Sequence, residues 1–352
     1  MAAYISFQPS DFFNPLAFVG NGATNHALTG VGFQPDFCWF KNREVANNHW
    51  LFDSVRGVEE YIESDSTQIE TTATDGLKSF DADGFTVDDA NPINHNTKDI
   101  ICWNWKAGTT SGIATNGSTT ITPSSYSFDQ TTGLSIIKYT GNVTAGAKLA
   151  HGLGAVPTGI LIKRLDGVSH WAAYHQAMGN TSYLLLNGTG AKGTSTAYWN
   201  DTSPDSVNIT LGTEGDVNGS GGTIVAYCFA DVKGYSKMGS YVGNGNANGP
   251  FVYTGFRPAF VMIKNSEASE TWNMWDSTRN PFNLTNLNLR PNNDTIENTA
   301  TAPGGQVIDI LSNGFKIRGT TTETNQSTKT MVYWAFAEFP FVSSNSKAGT
   351  AR

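Results

Sequence analysis

Apolar residues come along this chain in short, nearly continuous runs bounded by Gly and Pro. Phe37-Cys38-Trp39-Phe40, Ile160-Leu161-Ile162 and Phe260-Val261-Met262-Ile263 each follow closely on a proline. Runs of this length, rich in aromatic and β-branched residues, predict strands buried on both faces. A proline at the first position of such a strand costs no ladder hydrogen bond. A second kind of run alternates, placing Trp103 with Trp105, Tyr227 with Phe229 and Trp334 with Phe336 on one face each. Turn dipeptides leading into a strand, in DADGFTV (Asp81–Val87) and SNGFKI (Ser312–Ile317), predict hairpins. No stretch longer than a turn or two carries helical periodicity. The pattern is that of an all-β protein.

The pattern also recurs. FVGNG (Phe18–Gly22), TGVGFQPDFCWFKN (Thr29–Asn42) and IICWNWKAG (Ile100–Gly108) form a first copy. YTGN (Tyr139–Asn142), HGLGAVPTGILIKR (His151–Arg164) and IVAYCFAD (Ile224–Asp231) form a second. YVGNG (Tyr241–Gly245), YTGFRPAFVMIKN (Tyr253–Asn265) and MVYWAFAE (Met331–Glu338) form a third. Intervals match better than letters: Gly32, Gly154 and Gly255 each precede a proline by three residues, and Lys41, Lys163 and Lys264 each follow it by six. Twelve residues beyond those lysines stand Asp53, His175 and Asp276, and the closing aromatic pairs begin 68, 70 and 76 residues after the prolines. Such self-similarity marks a repeat architecture. We expect three tandem homologous β-sandwich units, jelly-roll or lectin-like and about 100 residues each, with Pro35, Pro157 and Pro258 at equivalent strand starts. The expected boundaries are an arm at 1–16, units at 17–108, 133–234 and 235–342, a polar linker at 109–132 and a tail at 343–352.

Composition narrows the class. The 352 residues suffice for a core without disulfide help. Charged residues are 15%, against about 25% in an ordinary soluble domain. Ser, Thr, Asn and Gly fill the gap, which suits neutral sheet faces and turns rather than long exposed helices. A net charge of −8 without clustered Lys and Arg argues against a nucleic-acid groove. Cys38, Cys102 and Cys228 lie far apart, each inside an apolar run, and are expected as small buried hydrophobes. The first residues lack a basic segment and a long apolar segment, so neither a secretion signal nor membrane insertion is expected.

Candidate chemistry is sparse. Asp81, Asp83, Asp88 and Asp89 cluster around DADG, but the spacing and closing Glu of a calcium loop are missing, so a turn is expected. Asp53-Ser54-Val55-Arg56 and Asp276-Ser277-Thr278-Arg279 occur in register, while the second copy carries His175-Gln176-Ala177-Met178. A carboxylate bonding turn amides beside a guanidinium fork would lock the loop at a strand end, so Asp53, Arg56, Asp276 and Arg279 are assigned a structural turn. Trp50, Trp171, Trp272 and Trp275, with Tyr174 and His175, lie at or just ahead of these turns. Core or interface packing is the favoured expectation for them, and stacking on a sugar the lesser alternative. The six histidines (His26, His49, His95, His151, His170, His175) form no metal-spaced group. No nucleophile elbow, P-loop or zinc-protease motif occurs, so no catalytic residue, metal or cofactor is assigned and the protein is not expected to be an enzyme.

The segments ISFQPSDFFN, TGVGFQPDFCWFKNR, HWLFDSVRG, SFDADGFTV and ICWNWKAG, with the later YTGN and HGLGAVP, resemble a repeat domain common in tailed-bacteriophage structural proteins. These belong especially to phages of marine and freshwater bacteria, including cyanophages. The domain's function is largely unassigned, and its proteins are usually labelled tail fibres or virion proteins. The resemblance covers roughly residues 4–340 and departs at the His175 turn. It implies a virion protein, assembled in the cytoplasm of a bacterial host, that attaches to the host surface without catalysis. Capsid decoration is the first alternative and a polysaccharide depolymerase the second, since paired carboxylates leave no spacing signature. Phage appendages sit on rotational axes, so a homotrimer among other virion proteins is expected, with the aromatic arm Tyr4–Phe13 at a contact and a host-surface glycan as candidate ligand.

Overall fold

The computed structural model describes residues 5–340. Within them, α-helix is confined to four single turns, 91–94, 196–199, 215–218 and 322–325, and the rest of the regular structure is almost wholly antiparallel strand. The protein is all-β, as the apolar runs imply. The chain forms three blocks, each with a larger sheet. In the first, Phe13–Val19 pairs with Asp99–Trp105, which pairs with Phe37–Asn42, which pairs with Trp50–Asp53. The same order recurs as Leu134–Thr140, Thr223–Phe229, Gly159–Arg164 and Trp171–His175. It recurs again as Ser236–Val242, Thr330–Pro340, Phe256–Asn265 and Asn273–Asp276. Over each lies a smaller sheet: His26–Thr29 with Gly84–Val87, Ala147–Ala150 with Asn208–Leu211, and Phe251–Tyr253 with Gly314–Ile317.

Register recurs with the order. Phe37 stands opposite Asp53 and Trp105, Gly159 opposite His175 and Phe229, and Phe260 opposite Asp276 and Phe336. Pro35 and Pro157 lie two residues ahead of their strands, as expected. Pro258 does not: it lies inside Phe256–Asn265, at a shift in register against Thr330–Pro340. The longer third strand pairs Phe256 and Arg257 with the end of that partner, and a residue without an N–H fits where the ladder is interrupted. Both hairpins form, Leu77–Asp81 with Gly84–Val87 and Ile308–Leu311 with Gly314–Ile317. The segment read as a linker supplies a strand, Ser125–Asp129, on the outer edge of Leu134–Thr140. The segment read as an arm contains the start of the first strand, at Phe13.

Each larger sheet has two apolar faces, because the strands after the prolines are buried throughout. One face packs against its own smaller sheet, as where Phe40 and Cys102 meet Phe85 and Val87. The other faces of all three sheets meet in a common core. The closing pairs Trp103/Trp105, Tyr227/Phe229 and Trp334/Phe336 all lie there, with Phe37, Leu161 and Phe260. Rings touch across blocks, Phe37 with Tyr227 at 4.6 Å and Phe229 with Phe336 at 5.6 Å. The void at the meeting point is only about 10 Å³, hardly room for one water. The arm is spent on this core: Phe7 packs on Tyr235 at 5.4 Å, and Phe13 on Phe336 at 5.2 Å. Tyr4 and the tail at 343–352 lie outside the described residues. All three cysteines are buried and free.

Candidate functional site at the seams between blocks

The Asp-Ser-x-Arg turns end the strands Trp50–Asp53 and Asn273–Asp276. Asp53 Oδ1 accepts the amides of Val55 and Arg56 at 3.0 and 2.9 Å, and Arg56 Nε donates to Asp53 Oδ2 at 2.5 Å. Asp276 and Arg279 repeat this with 3.1, 2.8 and 2.6 Å. Each arginine also donates backward to a strand carbonyl, Leu51 or Met274. The second copy reaches the same turn with other chemistry: His175 Nδ1 accepts the Ala177 amide at 3.2 Å. That fixes the tautomer, so Nε2 carries the proton and donates to the Tyr333 carbonyl at 3.1 Å.

These turns do more than close loops. Tyr227 of the second block donates its hydroxyl to Asp53 of the first at 2.6 Å. Trp103 of the first donates its indole N–H to Asp276 of the third at 3.0 Å. His175 of the second reaches Tyr333 of the third, its ring edge-on to Trp334 at 4.6 Å. The three contacts close a cycle. A second set of three contacts also spans every seam. Trp171 Nε1 donates to Glu63 O at 2.7 Å, Trp272 Nε1 to Leu185 O at 3.1 Å, and His49 Nε2 to Arg290 O at 3.0 Å. His49 is set by Trp39, whose Nε1 donates to its Nδ1 at 3.0 Å. Lys41, Lys163 and Lys264 are wholly buried with their ammonium groups on backbone carbonyls. Lys41 bonds Asp294 O, and Lys163 bonds Thr67 O, both across a seam. Burial pushes all three down to about 8, against nearby acidic groups that raise them.

The aromatic candidates for sugar stacking require correction. Trp171, Trp272, Trp275 and His175 are fully buried, and Trp50 and Tyr174 are buried to within a few per cent. None offers a ring face to a ligand. Their indole and imidazole groups bond across seams or, for Trp275, to Gln306 O, while Trp50 stacks on Tyr61 at 3.9 Å. His49 is the residue missed. It stands eight residues past Lys41, where Trp171 and Trp272 stand past Lys163 and Lys264. The interval is kept while the residue type changes, with Trp50 one position on. The acids around DADG cap backbone: Asp83 accepts the amides of Gly30 and Gly32, and Asp88 that of Asn25. Among the described residues no three His, Cys, Asp or Glu are grouped to hold a metal ion.

One seam is open. A groove of about 420 Å³ separates the strand Phe13–Val19 from the third block, with Asn14 and Pro15 on one side and Thr278, Glu338 and Phe339 on the other. Glu338 faces Arg257 at 3.4 Å. Burial raises its pKa, partly offset by Arg257 and a hydrogen bond with Ser277. Phe339 is 46% exposed.

No curated protein and no solved structure matches the chain. One family model matches residues 8–340, thus all three blocks, and the chain belongs to that family, a domain of unknown function (DUF7483).

Proposed function

We propose that the protein is a structural component of a bacteriophage virion, a tail-associated fibre or receptor-binding part that attaches to the host surface without catalysis. Three tandem homologous β-sandwich units, jelly-roll or lectin-like, are the fold of this reading, supported by the recurring strand order and register. The observation that carries a non-catalytic role is the use made of the recurring side chains. The Asp-Arg turns, the seam indoles and imidazoles, and the buried lysines are engaged in holding the chain together. Turnover needs a reactive group held at fixed geometry beside a substrate, and what the repeats keep is scaffold. The virion setting rests on the motif order from ISFQPSDFFN to ICWNWKAG.

In that setting the chain acts as a homotrimer among other virion proteins, through its outer faces, since the common core is closed within one chain. Capsid decoration is the second reading. It is favoured by contacts that close on themselves, with no extended shaft among the described residues. Negative-stain imaging of particles carrying a tagged copy tests both, together with capture of host cells by the purified protein. Label on the tail with cell capture is expected. Label on the head without capture would transfer the reading to decoration, and shortening of host polysaccharide by the protein would overturn the non-catalytic role.

A further inference from the structure

The three seams place equivalent residues around equivalent spots, and comparing them isolates the groove. Asp36, Thr158 and Ala259 each stand one residue before the register position of Phe37, Gly159 and Phe260. Ala107, Asp231 and Glu338 each stand two residues after Trp105, Phe229 and Phe336. At the first-to-second seam Asp36 accepts the hydroxyls of Ser54 and Ser127 at 2.6 and 2.9 Å and the Ala107 amide at 2.8 Å. Ser127 comes from the extra strand Ser125–Asp129, which fills the spot. At the second-to-third seam Asp231 accepts the Thr158 hydroxyl at 2.7 Å and the Met238 amide at 2.8 Å. Both networks are closed. At the third-to-first seam Ala259 has no polar side chain, and ahead of Phe13 the chain makes a 3-10 turn at Pro9–Asp11 in place of an extra strand. Among the described residues the spot stays open as the 420 Å³ groove, with the Thr278 hydroxyl donating to Pro15 O at 3.4 Å across it.

We propose that this groove is a binding site for one or two units of a neutral saccharide, a proposal that rests on the attachment reading above. Its volume lies within the usual range for small-molecule sites, about 300–1,000 Å³. Its walls pair apolar surface with polar groups suited to hydroxyls. One face of the Phe339 ring lies against the Arg257 guanidinium at 5.8 Å, and the exposed remainder of the ring is what it offers to the C–H face of a sugar, with Pro15 across from it. Glu338 supplies carboxylate acceptors, the Thr278 hydroxyl (which donates to Pro15 O at 3.4 Å) an acceptor oxygen, and Asn14 a carbonyl oxygen, its amide nitrogen being held by Val31 O at 3.1 Å. Glu338, 3.4 Å from Arg257, is the one charged residue among the described residues lining the groove; no cation lines it to pair with an acidic sugar, so acidic sugars are disfavoured.

The test is titration of the full chain with methyl glucoside, methyl galactoside, methyl N-acetylglucosaminide and glucuronate, followed by ligand-observed NMR. The variants are Phe339→Ala and Thr278→Trp, both at exposed rim positions, with circular dichroism to establish folding. At least one neutral glycoside should bind, glucuronate should not, Phe339→Ala should weaken binding roughly tenfold, and Thr278→Trp should block it. Absence of binding by every neutral glycoside, equal binding by both folded variants, or preference for glucuronate would each overturn the site. Cell capture separates this failure from that of the attachment reading. Capture that survives in both variants removes the groove and leaves attachment standing, whereas a wild-type chain that captures no cells removes attachment.

Discussion

At the scale of single residues, the second block shows why one turn departs from the other two. A buried aspartate needs a buried counter-charge, and Asp53 and Asp276 have theirs in Arg56 and Arg279. Position 178 is Met, so an aspartate at 175 would be a buried charge without that guanidinium. Neutral imidazole accepts the turn amide without carrying a charge. The exchange leaves a trace, because the buried Trp334 Nε1 has no acceptor, whereas Trp103 Nε1 has Asp276. It also makes the seam sensitive to acid. Burial lowers His175 from 6.5 to about 4, against the opposing bond to Tyr333. Below pH 6.5 the unfolded chain takes up a proton that the folded chain refuses until about 4. This contribution is therefore complete above pH 6.5 and lost as pH falls to about 4, on the order of 3 kcal/mol in all. His49 is lowered by burial as well and acts in the same direction. Urea midpoints between pH 7 and 4 should fall less steeply in His175→Gln than in the parent chain, and equal slopes would refute the assignment.

At the scale of elements, the strands after the prolines are squeezed between two layers, and glycine decides how closely one may approach. A Cβ on Gly159 would stand 2.5 Å from Trp334 Nε1 and 3.1 Å from the Met238 side chain, both on the third block. Phe37 and Phe260 occupy the same register position in the other blocks. One seam thus has a glycine because the neighbouring indole fills the space that a phenylalanine ring fills elsewhere. We expect Gly159→Ala to lower stability by about 1–3 kcal/mol through overpacking. Gly117→Ala, where a Cβ meets nothing within 4 Å, should stay within about 0.5 kcal/mol. Chemical denaturation of the two variants reads both, and equal effects would count against a close seam. The register of this strand was legible from the Pro-to-Lys interval. Its glycine was not explained by that interval, because the reason lies in another block.

At the scale of the whole molecule, the common core binds the blocks into one body. Removing any block would expose the aromatic faces of the other two, Trp103 and Trp105 or their counterparts. Large apolar surfaces of that kind are costly in water. Two sets of hydrogen bonds, each spanning all three seams, add to the same closure. We therefore expect one cooperative unfolding transition with matching calorimetric and van't Hoff enthalpies. Separate transitions for the three blocks in scanning calorimetry would show that the common core contributes little.

The sequence by itself determined the buried strands near the prolines, the alternating closing strands, the two hairpins and the recurrence, because these follow from local alternation and from intervals that a ladder keeps constant. The strand in 109–132 and the register shift at Pro258 were not legible there. Apolar runs after proline stated that both faces of those strands are covered, and the paired aromatics stated which residues share a face. What lies against each face was not written there, since a period of two separates the sides of a sheet without naming the neighbour. Tertiary structure decided that the second face of every larger sheet meets the other two sheets. That meeting buries the tryptophans, for which core packing is the favoured expectation and sugar stacking the lesser one. It also decided the role of His49, whose hydrogen bond matches that of Trp171 and Trp272 although the residue type changes. The open groove is the clearest case. It exists because Ala259 stands where Asp36 and Thr158 close networks elsewhere, and a 3-10 turn stands where the first seam has the strand that carries Ser127, and only folding brings those residues to equivalent places.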